Sequence, residues 1–126
     1  RVFGRWEYIR YFLDNSIQVI QPDIGNAGGI TETKRICDMA YTFDVGVQIH
    51  TCASHLLTPP SVQLEACIPN FVIHEQHMRS MNPSNMELTT KIVLPKNGYL
   101  DVTDEIGIGN QWSEKALASE DQITLN

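Results

Sequence analysis

Apolar positions in the first fifteen residues recur at helical spacing. Trp6, Ile9 and Leu13 form one stripe, and Tyr8 and Phe12 widen it. Asp14-Asn15-Ser16 is a plausible exit from that helix. The period then changes. Val19 and Ile20 are β-branched, and Pro22 stops the run, so a short buried strand is expected here. Asp23 follows at the strand's end, and a glycine loop with Gly25, Gly28 and Gly29 opens a second helix. Thr31-Glu32-Thr33 is expected near that helix's positive end. Ile36, Met39, Ala40 and Phe43 carry its stripe, and Asp44 breaks it. Val45 to Ile49 reads as a second strand, ending in His50. Thr51 to Leu57 is a loop. Thr58 with Pro59 and Pro60 starts a third helix, since a first-turn proline loses no hydrogen bond. Val62, Leu64, Cys67 and Ile68 continue it until Pro69-Asn70. Phe71 to Ile73 is a third strand, ending in His74 and Glu75.

One design therefore repeats three times: strand, polar side chain at its end, loop, helix. Asp23 and His50 are 27 positions apart, and His50 and Glu75 are 25 apart. A strand, a helix and their two loops need roughly 25–30 residues. Beyond the third unit the pattern weakens. Residues 78–90 read as a polar loop or short helix, and Pro83 excludes a long one. Lys91–Leu94 and Tyr99–Val102 read as short strands around the turn Pro95-Lys96-Asn97-Gly98. Ile106 to Asn110 is a glycine-rich linker. Ser113 caps a last short helix, and the final few residues are expected to fray.

Buried strands alternating with helices imply a parallel sheet covered by helices. Polar residues at the same end of successive strands favour a (β/α)₈ barrel of TIM type, whose sites lie on that face. A doubly wound sheet would instead gather its site at one switch point. Three strands cannot close a barrel of about 250 residues. The expectation is an α/β chain forming a partial barrel: its last three βα units, then a C-terminal extension. Residues 1–90 would be the barrel part, and 91–126 the extension, returning toward a capping domain. Such a piece exposes sheet edges, so a homo-oligomer or association with the missing barrel half is expected rather than a stable monomer.

Composition narrows the partners. The net charge is −6, which argues against nucleic acid or an anionic membrane. No apolar run approaches the ~20 residues of a spanning helix. Three cysteines at wide spacing, Cys37, Cys52 and Cys67, fit reduced thiols and a cytoplasmic setting, not a disulfide frame or zinc site. Cys37 and Cys67 read as core filler.

The run Gln21-Pro22-Asp23-Ile24-Gly25-Asn26-Ala27-Gly28-Gly29, then Ile49-His50, then Ala66-Cys67-Ile68-Pro69-Asn70-Phe71 through Glu75, resembles the C-terminal half of the enolase superfamily barrel. Within it, the chain is similar to the mandelate racemase subgroup, and most to its acid-sugar dehydratases. The resemblance implies a lyase acting on a small sugar acid. The parent protein would abstract the proton α to a carboxylate, aided by Mg²⁺. The strands seen here would be the sixth, seventh and eighth, so the metal ligands would lie upstream of Arg1 and none in this piece. His50 and Asp23 would form the catalytic His–Asp pair, with the carboxylate fixing the tautomer. Glu75 would bind the substrate with His50 and let charge build on the enediolate. No lysine stands near the relevant strand ends, which sets the chain apart from the muconate-lactonising subgroup. Racemisation or epimerisation by the same pair, or an inactive truncated product, are the alternatives. His74 is expected to pack away from Glu75 by strand alternation, and His55 to be a surface histidine.

Overall fold

The computed structural model describes residues 2–119. Its elements are α1 (Arg5–Leu13), β1 (Val19–Ile20), α2 (Gly29–Thr42), β2 (Gly46–Val47), α3 (Thr58–Ala66), a 3₁₀ turn (Met78–Met81), α4 (Pro83–Met86) and α5 (Glu114–Ser119). β1 and β2 are parallel, with Val19 opposite Gly46 and Ile20 opposite Val47. A third extended segment joins β2 through a parallel bridge between Val47 and Phe71. The three segments thus run in one direction, with α2 and α3 as the connections.

The ladder outlasts the regular strands. Gly46 donates to Gln18 O at 2.9 Å, Gln48 to Ile20 O at 3.0 Å, and His50 to Pro22 O at 3.0 Å. That last bond brings the end of the second strand level with the end of the first. On the other side Val47 donates to Asn70 O at 2.8 Å and Val72 to Val47 O at 2.9 Å. The expected strands Val45–Ile49 and Phe71–Ile73 are therefore regular only over a residue or two. Gly46 lies where the third segment crowds in: a Cβ built there would sit 2.6 Å from Val72 Cγ2.

The core lies between the sheet and its helices. Ile20, Val47 and Ile49 meet Ile36, Cys37, Ala40, Leu64 and Ile68, with Tyr8 and Phe12 closing one end. Each fully buried Ile or Phe is worth about 1.5–3 kcal/mol. α1 packs on α2 through Tyr8 and Phe12, and Phe12 stacks on Phe43 with centroids 5.6 Å apart. Trp6 is 77% and Leu13 69% exposed, so the stripe expected on Trp6 and Leu13 is corrected. Among the described residues α1 packs chiefly on α2, and its face carrying Trp6 and Leu13 is left open. Arg5 at its start bonds the Glu32 carboxylate through both side chain and backbone N–H, which sets that face. These bonds, the backbone N–H first and then the charges of Arg5 and Arg35, hold the Glu32 carboxyl below its ordinary range.

Other expectations change for local reasons. α2 begins at Gly29 because Gly28 adopts φ 101° and turns the chain in early, so Thr33 lies inside the helix and donates to Gly29 O at 2.9 Å. Cys37 is buried, but Cys67 is exposed, because it falls just past the end of α3. The region 91–102 forms a tight turn and not a pair of strands. Lys96 pairs with Tyr99 across Asn97 (φ 52°) and Gly98 (φ 83°), and the flanks carry no further ladder among the described residues. Ser113 does cap α5, accepting from Ala116 N at 3.1 Å. The fraying expected at the last residues lies outside the described residues.

Candidate active site

The three strand-end residues converge. The ladder bond from His50 N to Pro22 O places the His50 side chain beside Asp23. His50 Nδ1 lies 2.7 Å from Asp23 Oδ2. The other Asp23 oxygen, Oδ1, accepts from Gly25 N at 2.7 Å. Both carboxylate oxygens are thus committed, and the side chain is only 10% exposed. Against an ionised Asp23, Nδ1 of His50 is the donor, and in the neutral imidazole Nε2 then keeps a lone pair. Nε2 points toward Glu75, 3.9 Å from Oε1. The imidazole is 37% exposed, so its free nitrogen is reachable from outside. A cavity of about 370 Å³ opens onto the pair, walled by Tyr8, Ile20, Gln21 and Asn26.

Tyr8 forms part of that wall with its phenol pushed up to about 12. Burial is the main cause, and the charges of Cys37, Asp23 and Glu7 add to it. Glu75 Oε2 is buried without a hydrogen-bond partner. A buried carboxyl oxygen without a partner is costly, and such a group in a native fold calls for an explanation.

Among the described residues, no group of three or more His, Cys, Asp or Glu side chains is arranged to hold a metal ion. The donor chemistry agrees. Each Asp23 oxygen is already engaged, by Gly25 N and by His50 Nδ1, and Glu75 is the one further carboxylate of the cluster, with Oε2 buried. These residues fit proton transfer and do not fit a magnesium site.

The other three histidines fall outside this cluster, and His77 accepts from Arg79 N at 3.0 Å. His74 Nδ1 lies 2.7 Å from Glu65 Oε2, on the helix side of the third segment, in line with the alternation expected. The Glu65 partner was not foreseen, although an acid between Leu64 and Ala66 in an apolar helix was a signal. His55 is fully buried, which corrects the expectation of a surface histidine. Its Nε2 donates to Ser80 O at 2.8 Å, and its Nδ1 accepts from Val93 N at 3.2 Å. Asn110 donates to its carbonyl at 2.9 Å. The later segment folds down onto the loop after β2 and covers it.

Residues 1–116 match the family described as Enolase C-terminal domain-like. The chain belongs to that family. Enolase C-terminal domains are TIM-type barrels, and three parallel segments with intervening helices are consistent with part of one. The chain is 35% identical over 122 residues to D-galactonate dehydratase of Pectobacterium atrosepticum, covering 93% of this chain and 32% of that protein. It is 30% identical over 94 residues to D-xylonate dehydratase of Haloferax volcanii, covering 75% and 23%. A crystal structure of an enolase superfamily member from Salmonella Typhimurium superposes with a TM-score of 0.94 at 41% identity, over 100% of this chain and 32% of that one. The chain spans about a third of the length of the galactonate dehydratase and of the Salmonella protein. No helix among the described residues is long and apolar enough to cross a membrane.

Proposed function

We propose that the whole protein is a magnesium-dependent acid-sugar dehydratase, and that this chain supplies the proton-transfer side of its site. The observation that carries the reading is the His50 imidazole, locked by Asp23 at Nδ1 and free at Nε2. Bases of this kind contribute about 10²–10⁴ in rate. In this reading His50 Nε2 moves the proton next to the substrate carboxylate, and Asp23 keeps the tautomer. Glu75, opposite Nε2, donates from its carboxyl to the substrate and lets negative charge build there. Magnesium, when bound, supplies positive charge to the substrate carboxylate. Its ligands belong to parts of the protein outside the described residues. Residues 1–90 then form the last three units of a barrel, and 91–126 an extension toward a capping domain. The names of the dehydratase relatives support the reaction class.

The test is a screen of the whole protein against a library of sugar acids with magnesium, reading 2-keto acid. Formation of a keto acid from D-galactonate, D-xylonate or a related acid is the expected result. Epimerised sugar acid without keto acid would assign a racemase or epimerase built on the same pair. No reaction on any acid would overturn the reading.

A further inference from the structure

The segment carrying Glu75 is held by backbone bonds only at its start, at Asn70 and Val72. From Ile73 to Gln76 no backbone N–H or C=O finds a backbone partner among the described residues. The Glu75 carboxyl does not hold itself either. Oε2 has no partner, and the 3.9 Å from Oε1 to His50 Nε2 is too long for a hydrogen bond. Its two neighbours are tied instead. His74 Nδ1 donates to Glu65 Oε2 at 2.7 Å, with the side chains 13% and 4% exposed. Gln76 Nε2 donates to Ser80 Oγ at 2.5 Å. In extended chain, residues 74 and 76 share the face opposite 75. We propose that Glu65 and His74 are positioning residues, pulling the chain back onto α3 so that Glu75 is aimed at His50. This rests on the role given to Glu75 above. The Glu65–His74 pair repeats the chemistry of Asp23–His50 on the far side of the sheet, but there it fixes backbone and does not meet substrate.

A misplacement near 1 Å costs about 10²-fold in rate. In the whole protein, Glu65→Ala should lower kcat/KM on D-galactonate by about 10- to 100-fold. Glu65→Gln, which keeps an acceptor for His74, should recover to within about threefold of wild type. In a Glu75→Gln background, Glu65→Ala should cost nothing further, because its effect passes through Glu75. A second readout needs no turnover. With ¹³C-carboxyl glutamate, the Glu75 resonance is assigned by its loss in Glu75→Gln. It should shift in Glu65→Ala and return in Glu65→Gln. A loss of activity that is equal in both backgrounds, or a Glu75 resonance that stays put in Glu65→Ala, would overturn the proposal. A wild-type protein that forms no keto acid would sink the dehydratase reading, while the Glu75 resonance still decides the positioning.

Discussion

Replacing Asn110 with alanine removes five hydrogen bonds from one buried side chain. Nδ2 donates to His55 O and to Lys91 O, both at 2.9 Å. Oδ1 accepts from Lys91 N at 3.1 Å, Gln111 N at 2.9 Å and Thr90 Oγ1 at 3.2 Å. Thr90, Lys91 and Gln111 are exposed, so water replaces much of what they lose. His55 is fully buried and its carbonyl is left unpaired. An unsatisfied buried carbonyl costs about 1–3 kcal/mol, and the other bonds add a fraction each, for about 2–4 kcal/mol in all. That energy is lost locally, where the segment 89–112 clasps the loop after His50. The assay is amide hydrogen exchange on the whole protein. Protection at Lys91, Val93 and Gln111 should fall roughly 30- to 900-fold. Gly46 and Gln48, in the β1–β2 ladder, should stay protected. A fall of less than about threefold at Lys91 and Gln111 would refute the clasp. Equal loss at Gly46 and Gln48 would show that Asn110 supports the whole fold instead.

Thiol labelling of the native protein near pH 8 should modify Cys67 first. Cys37 should be spared until unfolding, because burial, with the Asp38 charge behind it, pushes its thiol up to about 12. Labelling of Cys37 at the rate of Cys67 would contradict this. Alkali gives a second check. Cys37 and Tyr8 keep their protons when folded to about pH 12, whereas unfolded chains lose them near 9 and 10. Stability should be full below about pH 9 and fall as pH rises toward 12, by up to about 1.4 kcal/mol per pH unit for each group. Urea midpoints at pH 8, 10 and 11 measure it, and a flat profile would be inconsistent with both burials.

The parallel alternation was legible because it is written in local chemistry. Pro22 and Asp44 stop their elements, glycines open α2, Pro59 and Pro60 start α3, and a polar side chain follows each apolar run. Asp44 adopts φ 55° after α2, as a breaker should. The convergence of Asp23, His50 and Glu75 followed from equal spacing of equal units. What escaped the sequence depends on which neighbours cover a surface. Tyr8 and not Trp6 is buried because α1 meets α2 on one side only. His55 reads as a polar loop residue, yet three partners 25 to 55 positions away satisfy its ring and carbonyl. Glu65 is buried beside His74, which lies on another segment and pairs with one of its oxygens. No local pattern announces the His55 contacts, whereas Glu65 is marked by its place between Leu64 and Ala66 in an apolar helix.

The proton-transfer role proposed for His50 is tested most directly by α-proton exchange. The whole protein with magnesium is incubated with D-galactonate in D₂O, and deuterium at the carbon beside the carboxylate is followed by NMR for wild type and His50→Asn. Asparagine keeps the shape and a donor to Asp23 but cannot take a proton. Deuterium incorporation or dehydration in wild type, and none in His50→Asn, is the expected result. Exchange that persists at the wild-type rate in His50→Asn would contradict it.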